Sequence, residues 1–525
     1  MRKTLSLILV SLCMSEAYSQ NPIVSHIFTA DPAPVVHEGI DSLYVYCDQD
    51  ENVPGVNDFY YMEHYRVFST ADMVNWTDHG DAVMPRTAFK WMKQGTCWAS
   101  QCVKRGGYYY WYMCGNPASG YNYGYNVIGV GRSTKPSGPF TDPIGKPVVH
   151  AFGYIDPTVL IDDDNQAYMY FGNPQLSYVK LNTNMTSYKT TGAGSKNGIY
   201  EIPLTEETVG GYKGSDDMIV GKDKYEEGPW LDKRGDNYYM IYAAGGVPEH
   251  ISYSMSKSPT GPWEYKGQVM RTGDTGSFTN HSGIAQFRGH EYFFYHTGWA
   301  SVGNVNGGGF NRSMAVEEFK FNEDGTIPEI KPTRTGVKAI ATLNPFLQQQ
   351  AETMNKGVNI KVVGNEKKGV YVTGTTSKSN ITVANVDFGT EAPASVTIRY
   401  ATTLDKGYIY IRQNSTTGTI IAKIPLQSTG SEKTWEEVTI PITARVTGLK
   451  KNIVFTFSGT ADATTGNMVN IDWWKFNTEE ETAISNIRTE RPQDNTTYDL
   501  SGRKTEANKL QKGIYIKNGR KVLIR

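Results

Sequence analysis

Segments of alternating or consecutive aromatic and aliphatic residues recur through the first 330 residues of the chain, and most of them follow a polar turn signal. Such segments are typical of β-strands, and the sequence shows almost no helical periodicity. They begin 53 to 71 residues apart, which leaves room for a four-stranded antiparallel sheet in each interval. The five segments are LYVYC (43–47), YYYWYMC (108–114), AYMYF (167–171), YYMIY (238–242) and EYFFYH (291–296).

Five sheet-sized repeats predict an all-β fold with a five-bladed β-propeller over residues 20–340. A series of ordinary β-sandwiches is the alternative. A residue of special chemical character also lies 11 to 13 positions before a tyrosine of every segment. In a propeller the innermost strands begin at one mouth of the central channel, so we expect these five side chains to converge. They are Asp31, Trp98, Asp156, Glu227 and His281.

Three carboxylates that converge in a partly dry site suit acid–base chemistry. Burial and mutual repulsion raise the pKa of at least one carboxyl, which stays protonated as an acid while another stays ionised as a base. Glycoside hydrolysis uses such a pair on either side of the scissile bond. Spacing alone leaves two alternatives open, which are a calcium site and a structural network around axial water.

Composition narrows the class of ligand. The net charge is −1, so the chain has no basic field with which to bind nucleic acid. Aromatic residues make up 12% of the chain, and they indicate either strand packing or the stacking of sugar rings. No run after residue 19 reaches the ~20 apolar residues that a membrane-spanning helix needs.

The sequence pattern changes after residues 330–346. This segment contains proline and threonine, and we interpret it as a linker. Residues 347–477 contain short alternating segments such as ASVTIRYAT, GYIYIRQ and KNIVFTFSG. Their spacing predicts a second domain, a β-sandwich of jelly-roll type.

Several motifs of the first domain resemble glycoside hydrolase family 43: ADPAPV, DMVNWTDHG, YIDPTVLIDDDNQAYMYFG, EEGPWLDKRGDNYYMIYA, SPTGPW and NHSGI. The resemblance implies a five-bladed propeller and hydrolysis by a single displacement with inversion. It makes Asp31 the general base, Asp156 the modulator of the acid's pKa and Glu227 the general acid. Glu226 is the rival acid, but the family motif places the acid directly before the small-residue–Pro step, and strand alternation turns Glu226 away.

The same resemblance implies residues that bind the substrate. Trp98 forms an apolar wall, and Arg312 hydrogen-bonds the sugar at the cleaved position. His281 lies on the axis, either beside a calcium ion that it contacts through water or as a hydrogen-bonded channel residue.

The substrate that the resemblance implies is plant cell-wall polysaccharide. We expect removal of α-L-arabinofuranosyl groups from arabinoxylan. The alternative is β-xylosidase action on the ends of xylan chains or xylooligosaccharides. A non-catalytic glycan-binding surface protein is an alternative of another class, which the presence of all three acids disfavours.

The second domain resembles a family 6 carbohydrate-binding module through QQAE, VANVDFG and NIDWWKF. The resemblance implies that Tyr371 and Trp435 sandwich a sugar, with Asn470 as a hydrogen-bonding partner. It also implies a structural calcium ion at Glu352 and Asp472. The segment TTSKSNI replaces the turn that usually follows the first aromatic residue.

Both ends of the chain carry export features. Residues 1–19 have a basic start, the apolar run LSLILVSLC and the final AYS, which predict a cleaved signal peptide. Residues 482–525 contain YDLSGR and KGIYI and resemble the C-terminal sorting domain of the type IX secretion system; a small β appendage is the alternative. We expect a secreted or surface-attached monomer. Four cysteines after the signal permit one or two disulfides, or buried thiols: Cys47, Cys97, Cys102 and Cys114.

Overall fold

The structure of the 525-residue chain is a computed structural model. The predicted signal peptide, residues 1–19, and residues 482–496 of the predicted tail lie outside the described residues. The structure describes residues 20–53, 59–84, 86–213, 219–221, 223–442, 444–462, 464–481, 497–500, 503–505, 512–517 and 520–524.

Five antiparallel sheets follow one another along the first domain, and each aromatic segment forms the second strand of its sheet. Blade one has β1 (Ala30–Val36), β2 (Leu43–Asp48), β3 (Tyr65–Thr70) and β4 (Trp76–Asp78). Blade two has β5 (Trp98–Arg105), β6 (Tyr108–Gly115), β7 (Val127–Ser133) and β8 (Val149–His150). Blade three has β9 (Thr158–Ile161), β10 (Ala167–Phe171), β11 (Ser177–Leu181) and β12 (Ile199–Glu201).

A short helix and a hairpin precede the fourth blade: α1 (Glu206–Val209), β13 (Tyr212–Lys213) and β14 (Ile219–Val220). Blade four has β15 (Tyr225–Arg234), β16 (Asn237–Ala244), β17 (His250–Ser256) and β18 (Glu264–Met270). Blade five has β19 (Gly283–Phe287), β20 (His290–Thr297) and, after the hairpin β21 (Ser301–Val302) and β22 (Val305–Asn306), β23 (Ser313–Phe319). A single 3₁₀ turn in the described part covers Arg86–Ala88.

The first strands of the blades are innermost and close a ring. Strand β1 contacts both β5 and β19, and Gly283 of β19 packs against Pro34 of β1 and Trp230 of β15. Blade five is completed by the start of the chain, since Ile23 N donates to the carbonyl oxygen of Met314 at 2.9 Å. The predicted five-bladed propeller is therefore confirmed.

The aromatic segments form much of the propeller core. Tyr46, Trp111, Tyr170, Tyr242 and Tyr295 are all fully buried. The rings of Tyr46 and Trp111 meet edge to face with centroids 4.9 Å apart, which joins blade one to blade two. Packing between blades thus accounts for these aromatic residues.

Two facing sheets build the second domain, which confirms the predicted β-sandwich. One sheet contains β24 (Gln349–Gln350), β27 (Lys361–Asn365), β28 (Gly369–Thr373), β30 (Ser395–Ala401), β33 (Glu436–Pro441) and β35 (Asn470–Asn477). The other contains β26 (Lys356–Val358), β29 (Asn380–Asp387), β31 (Tyr408–Gln413), β32 (Ile420–Pro425) and β34 (Leu449–Ser458). Valine, isoleucine and phenylalanine side chains from both sheets share one buried core.

The two domains are joined by more than the connecting segment. Strand β25 (Thr353–Met354) pairs with β4 and so extends blade one. The amide of Asn75 in blade one binds the backbone N–H and carbonyl of Ala384 in the sandwich, each at 2.8 Å. Residues 330–346, interpreted above as a linker, are packed: Ile340 N donates to Asp72 O, and Leu343 N donates to Asn385 O.

The described residues after 481 form a small four-stranded sheet, and the export role of this region stays a prediction. Its strands are β36 (Thr497–Tyr498), β37 (Lys504–Thr505), β38 (Gly513–Lys517) and β39 (Arg520–Ile524). Cys47, Cys97, Cys102 and Cys114 are buried free thiols rather than disulfides. Among the described residues, no helix has the length and apolar character to cross a membrane.

Candidate active site

The five side chains that the repeat pattern singled out line one cavity of about 410 Å³ at the mouth of the channel. Each comes from a different blade: Asp31, Trp98, Asp156, Glu227 and His281. Arg312, from the end of the fifth blade, lines the same cavity. The structure thus brings together all six residues predicted for the first domain.

The backbone around the carboxylates is irregular, which aims their side chains at the cavity. Asp31 and Asp156 have φ angles of 50° and 58°, in the left-handed region that aspartate tolerates better than most residues. The register of β1 with β2 shifts around Asp31, and that of β15 with β16 shifts on both sides of Glu227. Such bulges reorient a side chain and are frequent next to active sites.

Asp31 is held ionised by cationic and hydrogen-bonding neighbours. Arg312 Nη1 donates to Asp31 Oδ1 at 2.9 Å, and His296 Nδ1 lies 3.2 Å from the same oxygen. Burial alone would raise the pKa of Asp31, but Arg312, His296 and His281 outweigh it and hold that pKa well below its usual range. An ionised carboxylate is the form that can accept a proton from water.

Arg312 is anchored by an acid that sequence reasoning missed. Asp50 accepts three hydrogen bonds from Arg312, from its backbone N at 2.7 Å, Nε at 2.9 Å and Nη2 at 2.8 Å. The guanidinium also lies 4.6 Å from the ring centroid of Tyr60. Because the N–H groups of Arg312 donate to Asp31 and Asp50, Arg312 orients the base and keeps it ionised. Its hydrogen bond to the sugar stays a prediction.

Asp48 is a second missed acid. It is completely buried 3.6 Å from Arg312 Nη2, and burial together with Asp31 raises the pKa of Asp48 well above its usual range. The segment DQD at the end of β2 carries both missed acids. Because Ala30 pairs with Asp48, this segment had to lie beside Asp31, and that register is the signal that could have found them.

Glu227 and Asp156 also line the cavity, and the pKa of each carboxyl is raised. Burial, followed by the nearby Glu227 and Asp31 charges, raises the pKa of Asp156 well above its usual range, although Gly228 N donates to its Oδ2 at 3.1 Å. Burial and Asp31 also raise the pKa of Glu227. Asn173, another missed residue, donates to Glu227 Oε2 at 2.5 Å. Repulsion within this pair favours a shared proton.

The rival Glu226 also lines the cavity, so the prediction that strand alternation turns it away is wrong, because the bulges on both sides of Glu227 interrupt that alternation. The immediate partners of Glu226 nevertheless differ from those of Glu227. Glu226 forms an ion pair with Lys224, whereas Glu227 is the neighbour that raises the pKa of Asp156. Of the two acids in EEGPW, Glu227 therefore has the surroundings of a proton donor. Glu249 also lines the cavity, and burial and Glu227 raise its pKa well above the usual range; sequence reasoning missed it as well.

His281 and Trp98 complete the wall. His281 Nδ1 lies 3.9 Å from Asp31 Oδ1, and burial lowers the pKa of His281 to about 4, so the ring is neutral near pH 7. Trp98 is half-buried, and its carbonyl oxygen accepts a hydrogen bond from Tyr65. No group of three or more metal-ligating side chains occurs among the described residues, so the calcium role of His281 stays a prediction.

These pKa shifts predict a bell-shaped pH dependence of kcat/KM. The acidic limb reports the protonation of Asp31 and is expected below pH ~3.9, the ordinary value for aspartate. The alkaline limb reports loss of the proton from the Glu227–Asp156 pair and is expected above the ordinary glutamate value of ~4.3. Initial rates across pH, with circular dichroism at each pH as the folding control, check this; an acidic limb above pH ~5 in folded protein would contradict it.

Two residues predicted for the module's binding surface are in contact. The rings of Tyr371, on β28, and Trp435, just before β33, have centroids 5.2 Å apart and planes at 71°. The two rings touch edge to face and form a joined aromatic surface, whereas the prediction placed them on either side of a sugar. Asn470 is buried, and its amide bonds Asn467 and the carbonyl oxygen of Glu432, so it faces the protein's own network.

Glu352 and Asp472, the residues predicted to bind calcium in the module, lie near each other, and that calcium role stays a prediction. Glu352 is buried, its Oε2 has no hydrogen-bond partner, and burial followed by Asp472 raises the pKa of Glu352 well above its usual range. An unpaired buried carboxylate oxygen suits a cation. Asp472, however, forms an ion pair with Arg399. The residues therefore fit a cation at Glu352 better than at Asp472.

An ionised carboxylate that shares a cavity with two carboxyls of raised pKa, at the mouth of a five-bladed propeller, is the site of a glycosidase. The family model of glycosyl hydrolases family 43 matches residues 19–327, and the chain belongs to this family. Residues 350–478 match the model of the carbohydrate binding module, family 6.

Relatives with known activities cover most of the chain. It is 30% identical to an arabinoxylan arabinofuranohydrolase of Bacillus subtilis (strain 168), over 87% of this chain and 92% of that protein. It is 29% identical to the arabinoxylan arabinofuranohydrolase of Paenibacillus polymyxa, over 87% and 74% of the two chains. The crystal structure of a family 43 arabinoxylan arabinofuranohydrolase from Bacillus subtilis with cellotetraose matches with a TM-score of 0.71 and 26% identity, over 87% and 97%.

Proposed function

We propose that the protein is an inverting arabinoxylan arabinofuranohydrolase, which removes α-L-arabinofuranosyl groups from the xylan backbone. The observation that carries the proposal is that one cavity holds both Asp31, with a lowered pKa, and Glu227, with a raised pKa. The similarity to two arabinoxylan arabinofuranohydrolases over most of the chain supports the choice of substrate.

The reaction follows from these protonation states. Asp31 accepts a proton from a water molecule whose oxygen bonds to the anomeric carbon from one face of the arabinose. Glu227 gives its proton to the glycosidic oxygen as the bond between that oxygen and the anomeric carbon breaks on the other face. Asp31 ends protonated and Glu227 ionised, and Asp156, beside Glu227, favours the return of the proton to the acid. Attack on the face opposite the leaving group inverts the anomeric configuration.

Proton NMR of the purified chain with arabinoxylan, read at early times, tests the proposal. The expected first product is arabinose with the β configuration at the anomeric carbon. α-Arabinose as the first product would overturn inversion, and xylose would replace arabinofuranosidase by β-xylosidase activity. Absence of sugar release from arabinoxylan, arabinan and xylooligosaccharides would favour a glycan-binding protein without catalysis.

The joined aromatic surface of the module is expected to hold the polymer. Replacing both Tyr371 and Trp435 by alanine should weaken binding to insoluble arabinoxylan about tenfold, since two ring contacts are lost. The kcat on an aryl arabinofuranoside should not change. Tyr410→Ala, on the opposite sheet of the sandwich, is the matched control and should bind normally. Unchanged binding by the double variant would place the polymer elsewhere.

We also propose that a calcium ion stabilises the module at Glu352. A chelator is expected to lower the unfolding temperature of the full chain, and excess Ca²⁺ should restore it, because a bound ion stabilises the folded state. Glu352→Gln should abolish the response to chelator. If the unfolding temperature of the unsubstituted chain does not respond to chelator, the ion is not bound there.

A further inference from the structure

A second, larger concavity lies between the propeller and the β-sandwich. Its volume is about 1130 Å³, against about 410 Å³ for the catalytic cavity. Its walls come from both domains, with residues between 20 and 27 and residues 299–304 on the propeller side and residues between 355 and 363 on the module side. We call it the junction groove.

Basic side chains outnumber acidic ones in the lining of the junction groove. Asp81 is the one acidic side chain among the described residues that line it. The whole chain, in contrast, has 52 lysine and arginine residues and nine histidines against 53 acidic residues, so the ratio of basic to acidic residues is far higher in the groove. The seven basic residues of the lining are His26, His64, Arg66, Arg334, Lys356, Lys361 and Lys378.

Only some of these groups are neutralised by the protein itself. Asp78 pairs with both Arg66 and His26, and Glu51 lies 2.5 Å from His64 Nδ1. The remaining four are exposed, and the structure shows no ion pair between any of them and another described residue. The side chains that keep an uncompensated positive charge in the groove are those of Arg334, Lys356, Lys361 and Lys378.

Arg334 is preorganised to bind a carboxylate. Its guanidinium carbon lies 4.7 Å from the ring centroid of Trp299, which also lines the groove. A guanidinium stacked on an aromatic ring keeps its in-plane N–H groups available, and their spacing matches the two oxygens of a carboxylate. The stacking reduces the entropy that Arg334 would otherwise lose on binding.

Residues that line the junction groove are close in sequence to residues that hold the side chains of the catalytic cavity. Gln49 lines the groove, and the next residue, Asp50, binds Arg312 in the catalytic cavity. Trp299 follows His296, a neighbour of Asp31, by three residues. A polysaccharide long enough to reach from the groove to the catalytic mouth would have a raised local concentration of its other units at that mouth.

We propose that the junction groove binds uronic acid groups carried by the polysaccharide substrate. The carboxylate of the uronate pairs with Arg334, and Lys356, Lys361 and Lys378 provide a positive field around the anionic chain. Uronate side groups on xylan and the galacturonate units of pectin share this chemistry. The proposal rests on the proposed function in one respect, which is that the polysaccharide bound at the groove is the substrate of the enzyme. Binding at the groove itself requires no hydrolysis.

Calorimetric titration of the full chain with glucuronoxylan oligosaccharides, and with the same oligosaccharides after reduction of their carboxyl groups, tests the proposal. The acidic form is expected to bind about tenfold more tightly, since several exposed charge pairs are lost on reduction. Raising the salt concentration should erase this difference. Equal affinity for the two forms at low salt would overturn the proposal.

Matched double variants locate the effect. Arg334→Gln with Lys361→Gln should remove the preference for the acidic form. Lys146→Gln with Lys406→Gln removes two exposed lysines elsewhere and should keep it. A preference that survives Arg334→Gln with Lys361→Gln would place the uronate outside the groove. Titration with polygalacturonate identifies the source of the uronate. Binding as tight as that of the glucuronoxylan oligosaccharides would indicate pectin, and weaker binding would indicate substituted xylan.

Arabinose release from a short neutral substrate separates the two proposals. The groove variants should release arabinose at the rate of the unsubstituted chain, since none of the replaced residues touches the catalytic cavity. If the groove variants lose the preference for the acidic oligosaccharide but release arabinose normally, the substituted residues act in the groove and not in catalysis. No release together with an intact preference would overturn the proposed function and leave the groove standing.

Discussion

Replacing Glu227 by glutamine is expected to lower kcat on arabinoxylan by about 10²–10⁴-fold, the usual contribution of a general acid. Glutamine keeps the shape and can keep the hydrogen bond from Asn173, but it has no proton to give to the leaving sugar oxygen. An aryl arabinofuranoside with a nitrophenolate leaving group needs no such proton, so its kcat should fall far less. The ratio of the two rates is therefore the measurement.

Glu226→Gln is the control for this prediction, because it makes the same chemical change one residue earlier. Glu226 pairs with Lys224, so the substitution alters an ion pair and leaves the proton donor in place. The ratio of the rates on arabinoxylan and on the aryl substrate should stay at its unsubstituted value. If Glu226→Gln changes this ratio and Glu227→Gln does not, the acid has been assigned to the wrong residue.

The principal acids were accessible from the sequence because the blade repeat fixes where they lie. The start of each inner strand lies 11 to 13 residues before a tyrosine of an aromatic segment, so counting was enough to place Asp31, Asp156 and Glu227 at one mouth. The contacts that set their protonation were not accessible. Asp50 is 262 positions from Arg312, so nothing in the sequence near either residue indicates their contact, although the pairing of β1 with β2 could have placed Asp50 near Asp31.

The fold shows the same division between local pattern and long-range contact. Alternating segments predicted the five sheets and the sandwich, since each strand carries its own periodicity. The extension of blade one by β25 could not be predicted, because two residues carry no periodicity and their partner, β4, lies almost 280 positions away. The compositional boundary at residues 330–346 was visible, but its packing between Asp72 and Asn385 was not.

Asp31→Asn is expected to lower kcat by about 10²–10⁴-fold on every substrate, whatever its leaving group, because the amide cannot accept a proton from water. This uniform loss distinguishes the base from the acid, whose loss depends on the leaving group. Asparagine tolerates the left-handed backbone that Asp31 adopts at φ 50°, so the fold should survive the substitution. Circular dichroism and the unfolding temperature verify this before rates are compared.

Asp41→Asn provides the matched control for the base. Asp41 lies in the same blade, in the loop before β2, and its carboxylate is exposed and paired with Arg288. An exposed ion pair contributes little to stability, and this one is not part of the catalytic cavity, so kcat should be unchanged. If folded Asp31→Asn protein keeps more than about a tenth of the original kcat on both substrates, another group activates the water. Glu249, which also lines the cavity, is then the first candidate.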